Sequence, residues 1–109
     1  MLRLSFFLVF FSTPALADFQ TGNTLHDKCN GDLPFGHDYC LAYVAAIADV
    51  LNVEGQSISG FTACPPAGIT QGQVRDIVAA WLARYPERRH YTANSLVAGA
   101  ISETFPCQQ

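Results

Sequence analysis

The stretch QGQVRDIVAAWLARY, residues 71–85, decides the fold class. Val74, Ile77, Val78, Trp81, Leu82 and Tyr85 recur at spacings of three and four, which gathers them on one face of an α-helix. Thr70 stands before the run and Gln73 three residues on, an arrangement that satisfies the free amides of a first helical turn. Pro86 closes the run, because the residue before a proline is pushed out of helical angles.

The same period appears on either side. Residues 39–51, YCLAYVAAIADVL, place Cys40, Tyr43, Val44, Ile47 and Leu51 on one stripe, with Asp38 as the expected N-cap. Asp49, late in that apolar run, is expected on the solvent side or as an anchor for a loop. A helix over 92–105 carries Leu96, Val97, Ala100, Ile101 and Phe105, and the Thr92 oxygen is expected to accept from a first-turn amide. Gly99 weakens that helix by roughly 1 kcal/mol relative to alanine, and its expected use is close helix packing. The weakest pattern is 19–29, with Phe19, Leu25 and Cys29, a cap at Thr21 or Asn23, and a stop at Asn30 and Gly31. Residues 57–63 could pair briefly, but Gly55 and Gly60 favour a loop. The expected fold is all-α, a small disulfide-stabilised array of four main helices.

Residues 1–17, MLRLSFFLVFFSTPALA, read as a secretory signal: Arg3, an apolar run, then Ala15 and Ala17 around Leu16 at the cleavage site. Cleavage after Ala17 leaves residues 18–109 as a single domain, and the bacterial periplasm is the expected location. The apolar run is too short to cross a bilayer, so no stable membrane insertion is expected after cleavage. A domain of this size buries only about 60–65% of its unfolded surface, so its core alone gives thin stability.

Four cysteines, Cys29, Cys40, Cys64 and Cys107, answer that weakness in an oxidising compartment. In an antiparallel array the end of the first helix meets the start of the second, favouring Cys29–Cys40. The end of the fourth then returns to the start of the third, favouring Cys64–Cys107. The alternative pairs Cys40 with Cys64 and Cys29 with Cys107.

The formal charge of the whole chain is −3, and losing Arg3 with the signal makes it −4. That balance argues against nucleic acid as a partner. No CxxC, Walker loop, GxSxG or HExxH is present, and no cofactor is implied. His26, His37 and His90 share neither a spacing nor a helical face with Asp27, Asp32 or Asp38 that would hold a metal. Oxidised cysteines leave no thiolate for nucleophilic catalysis, so no catalytic residue is assigned. The long connection 52–69 is the first surface to consider for a partner. Phe61 within it is expected either to tuck against the core or, if exposed, to be the aromatic anchor of that surface, and Arg88 and Arg89 supply cations on the turn before the last helix. His90 is read as a surface residue on that turn, with a hydrogen-bonded corner as the alternative. Trp81 and Tyr85 are expected to pack inside the array. Together with Tyr39 and Tyr43 they still give a small chain more aromatic surface than it readily hides, and a homodimer is expected.

Several strings taken together are more specific than composition: GNTL at 22–25, CLAYVAAIAD at 40–49, CPPAGITQGQVRDIVAAWLARYPERRH at 64–90 and ANSLVAGAISETFPC at 93–107. In these the chain resembles the Tai/Rap family of periplasmic immunity proteins, some of which neutralise peptidoglycan-amidase effectors delivered by type VI secretion. The resemblance implies a disulfide-containing helical fold, often dimeric, that binds a toxin and catalyses nothing. It places Cys29, Cys40, Cys64 and Cys107 at the structural cysteines, Gly72 and Gln73 at the opening of the third helix, and His90 at a recurring turn. Ala45 stands where many members have glycine. The resemblance names no toxin-contacting residue. Competing readings are an envelope stress or assembly factor that binds many clients, and a secreted enzyme of new type.

Overall fold

The computed structural model describes residues 2–10 and 19–108 of the 109-residue chain. Residues 2–10 are exposed and carry neither helix nor strand, and the expected cleavage site at Ala15 and Ala17 lies outside the described residues. Four α-helices follow in order: α1 (Gly22–Asn30), α2 (Gly36–Leu51), α3 (Gln71–Arg84) and α4 (Ala93–Thr104), with a 3-10 turn at Pro86–Arg88. Two isolated bridges are the only β pairing among the described residues.

The stripes read from sequence form one core. Leu25 of α1, Cys40 and Val44 of α2, Val78 and Leu82 of α3, and Val97 and Ile101 of α4 are fully buried. Burying a leucine or isoleucine completely is worth about 1.5–3 kcal/mol, so the sites at Leu25, Leu82 and Ile101 carry much of the cohesion. Tyr43, Ile47, Tyr85 and Phe105 pack partly buried around this centre. Asp49 is on the solvent side.

Disulfides join Cys29 to Cys40 and Cys64 to Cys107, with sequence separations of 11 and 43. In the chain-entropy picture such loops stabilise the fold by about 3 and about 4 kcal/mol. The first ties the end of α1 to the start of α2. The second ties the chain just before α3 to the chain just after α4, and the Cys64 amide also donates to the Phe105 carbonyl at 2.8 Å.

Helix starts follow local chemistry, with three departures from the sequence reading. Thr70 and Gln73 form a full capping box on α3, and Thr21 forms one with Thr24 on α1. Helix α1 nevertheless begins at Gly22, not at residue 19, and Phe19 lies outside it and exposed. The reason is that residues 20–22 run beside 91–93: Gly22 N–H donates to the Tyr91 carbonyl, and Ala93 N–H to that of Gln20. A Cβ on Gly22 would come within 2.7 Å of the Arg89 backbone, so only glycine permits this approach.

Helix α2 starts earlier than expected, at Gly36, so Asp38 is a first-turn residue and not the N-cap. Its carboxylate still favours the positive end of the helix. The cap position is Phe35, whose side chain is unable to accept from an amide. The start is early because the Phe35 carbonyl already accepts from the Tyr39 amide at 3.0 Å, and Gly36 suits a position where an added Cβ would sit 3.0 Å from the Lys28 carbonyl oxygen. On α4, the Thr92 hydroxyl does not cap an amide. It lies 2.9 Å from the Ser95 hydroxyl, which itself donates back to the Thr92 carbonyl.

Candidate functional site

Two depressions border the connector, and one gathers two of the three residues singled out for partner binding. It lies between α3, α4 and the turn at 58–61, encloses about 380 Å³, and has Phe61 and Arg88 among its lining residues.

Phe61 owes its place to a tight turn. Ile58 and Phe61 exchange both backbone hydrogen bonds, at 2.9 and 3.1 Å, and the two residues between them have positive φ: Ser59 at 51° and Gly60 at 81°. That is the geometry of a type I′ turn. The brief pairing that the sequence reading set below a plain loop does form, as a single bridge between Ile58 and Phe61. The Phe61 ring lies over Gly99, where an added Cβ would meet ring carbons at 3.4–3.7 Å. Gly99 is thus a floor for an aromatic ring from the connector and not a helix–helix contact. Phe61 stays 41% exposed.

The opposite wall is built from α3 and the turn after it. Trp81 is only 8% exposed, and its indole N–H donates to Glu103 Oε2 at 2.9 Å, which ties α3 to α4. Tyr85 packs on Trp81 with ring centroids 4.7 Å apart. Pro86 opens the 3-10 turn, and Arg88 ends it with its guanidinium 4.4 Å from the Tyr85 ring centre and 5.6 Å from that of Trp81. Stacked cations of this kind are worth about 0.5–1 kcal/mol at exposed sites. The depression therefore has an apolar floor with a cation on one rim and a carboxylate on another.

Arg89 is placed elsewhere. Its carbonyl accepts from the Asn23 amide at 2.8 Å, and its side chain turns toward α1, where Nε is buried without a hydrogen-bond partner. There it sits near His26. Burial holds the His26 imidazole below its ordinary range, the Arg89 charge pushes it further down, and Asp27 pulls the other way. The Asn30 amide nitrogen, a donor only, lies 3.0 Å from His26 Nδ1 and also donates to the Ala79 carbonyl of α3. His90 is exposed and packs against the Tyr91 ring at 4.1 Å.

Sequence reasoning missed Tyr91, Ser95 and Glu103 as parts of this wall. The signal was present: Ser95, Gly99, Ser102 and Glu103 recur at helical spacing on α4, a small and polar stripe beside the apolar one. The second depression, about 430 Å³, lies between the end of α2 and residues 65–71 and is walled by Ala45, Ala48, Asp49 and the Pro65–Pro66 turn. Among the described residues no group of three or more His, Cys, Asp or Glu side chains gathers in a metal-binding arrangement, and no helix is long and apolar enough to cross a membrane.

Comparison with curated proteins and comparison with solved structures each gave no match. Residues 21–107, which include all four helices, both disulfides and the whole aromatic depression, match the family described as Rap1a immunity proteins. The chain belongs to that family of non-enzymatic immunity proteins.

Proposed function

We propose that this chain is a periplasmic immunity protein that binds a peptidoglycan amidase effector and blocks it. The observation that carries the reading is the family match over 21–107, within which Phe61 and Arg88 border one exposed depression. Residues 1–17 supply the export signal that puts the protein where such an effector acts. The mechanism is steric. A body held rigid by two disulfides presents the connector over the effector's substrate cleft, with Phe61 as the apolar anchor and Arg88 facing an effector carboxylate. The site calls for binding groups only, and no reacting group is required of it.

The test is coexpression with a periplasm-targeted peptidoglycan amidase effector. Growth restored by the wild-type chain, and lost again with Phe61→Ala at equal expression, is the expected result. Undiminished toxicity despite verified periplasmic expression defeats the reading. We also propose a homodimer. Of the four aromatic residues read for a two-fold contact, Trp81 and Tyr85 are used within the chain, and Tyr39, stacked on Tyr43 at 6.1 Å, keeps an exposed edge for it. Light scattering on residues 18–109 should give twice the chain mass, and a single-chain mass at high concentration rejects the dimer.

A further inference from the structure

Residues 31–35, Gly-Asp-Leu-Pro-Phe, link α1 to α2 inside the ring closed by Cys29–Cys40. Two disfavoured features coincide there. Phe35 is 84% exposed, and its φ is +59°, in the left-handed region that aromatic residues rarely adopt. Leu33 beside it is 52% exposed. Neither side chain belongs to the core. Strained backbone of this kind persists only where the surroundings impose it, and here they do. Gly36 N–H donates to the Leu33 carbonyl and Tyr39 N–H to the Phe35 carbonyl, both at 3.0 Å. Pro34 stiffens the chain between them, and the disulfide closes the loop at its base. The result is an apolar tip held outward before any partner arrives, which lowers the ordering cost of binding.

Charge narrows what covers it. Asp32 and Asp38 are exposed on either side of the tip, and Asp32, Leu33, Phe35, His37 and Asp38 border the same shallow recess. A second copy meeting this tip with its own would crowd four carboxylates together, so the two-fold contact proposed at Tyr39 has to leave the tip outside it, and an anionic lipid surface would be repelled. A convex apolar tip with acidic flanks fits a concave protein cleft with an apolar floor and a basic rim.

We propose that residues 32–38 are a preformed recognition knob, with Phe35 and Leu33 entering an apolar cleft of the effector and Asp32 and Asp38 meeting lysine or arginine at its rim. This rests on the effector-binding reading above and adds a contact surface separate from the aromatic depression.

The experiment titrates the disulfide-bonded chain, residues 18–109, against the peptidoglycan amidase effector from which it protects in the coexpression test. Phe35→Asn is the informative variant, because asparagine adopts left-handed angles readily and keeps the loop while removing the ring. The expected result is binding weakened at least about tenfold with an unfolding midpoint equal to or above that of the wild type. Asp32→Asn combined with Asp38→Asn should weaken binding and flatten its dependence on salt. Wild-type binding matched within about twofold by Phe35→Asn overturns the knob and leaves the immunity reading standing. A lowered unfolding midpoint in that variant also overturns it, since the ring would then support the fold. Unchanged salt dependence in the double variant removes the basic rim. A wild-type chain that fails to bind the amidase defeats the immunity reading itself, and the knob with it.

Discussion

The two depressions beside the connector differ in kind more than in size. The one at the end of α2 is slightly larger, about 430 against 380 Å³, but alanines, prolines and loop backbone wall much of it. The other has Phe61 and Trp81 in its wall, with Arg88 and Glu103 already oriented by contacts to the Trp81 ring. Binding energy concentrates on aromatic and arginine side chains in well-packed surroundings, so the smaller depression is the better anchor site. Volume alone would choose the other one.

The largest expected effect comes from removing the link that closes the longer loop, the one containing α3 and α4. Cys64→Ser with Cys107→Ser should cost about 4 kcal/mol of unfolding free energy, against about 3 kcal/mol for Cys29→Ser with Cys40→Ser. Denaturant titration of both double variants measures the difference, and equal losses would show that loop length does not govern these bonds. Next, Phe61→Ala should weaken effector binding by about 2 kcal/mol, whereas Asp49→Ala on the other depression should change it by less than about 0.5 kcal/mol. Calorimetry that reverses this order would move the anchor to the end of α2.

Gly99→Ala sharpens the comparison further, because its two effects have opposite signs. The methyl group meets the Phe61 ring at ordinary contact distance, and alanine favours the helix by up to about 1 kcal/mol. Thermal stability should rise while effector binding falls as the floor is raised. A stable variant with unaltered binding would show that the floor is unused.

Acidification is the mildest lever and acts on neither depression. His26 is held below its ordinary range in the folded chain, so the unfolded state takes up its proton first. The stability it contributes is complete above about pH 6.5, the unfolded value, and is lost as pH falls through the lower folded value. Unfolding midpoints across that window should fall more steeply for the wild type than for His26→Gln. Identical slopes would remove His26 as the cause.

The parts legible in the sequence were those set by period and by short-range chemistry. The stripes of α2, α3 and α4 gave the core, and Thr70 with Gln73 gave a helix start to the residue. The positions of the helix ends that bring the cysteines together gave both disulfides. What escaped depended on backbone meeting backbone. The Tyr39 amide on the Phe35 carbonyl moved the start of α2, and the pairing of 20–22 with 91–93 trimmed α1. The site was half legible. Phe61 and Arg88 stood out by type, but Arg88 lies against Tyr85 and Trp81 while the charge of its neighbour Arg89 acts on His26, a separation that no composition argument resolves.

Neither disulfide crosses residues 41–63. Cys29–Cys40 closes a ring within the first helical pair, and Cys64–Cys107 closes one around the second, so in covalent terms the molecule is two knots on a single thread. A protease that cuts once in the exposed segment 53–57 would leave two halves held together by packing and by hydrogen bonds such as those between 20–22 and 91–93, with no covalent link. They would separate on a denaturing gel even without a reducing agent. The same wiring leaves one half free to seek its complement in a neighbouring molecule, so exchange of helical pairs between copies requires no covalent bond to break.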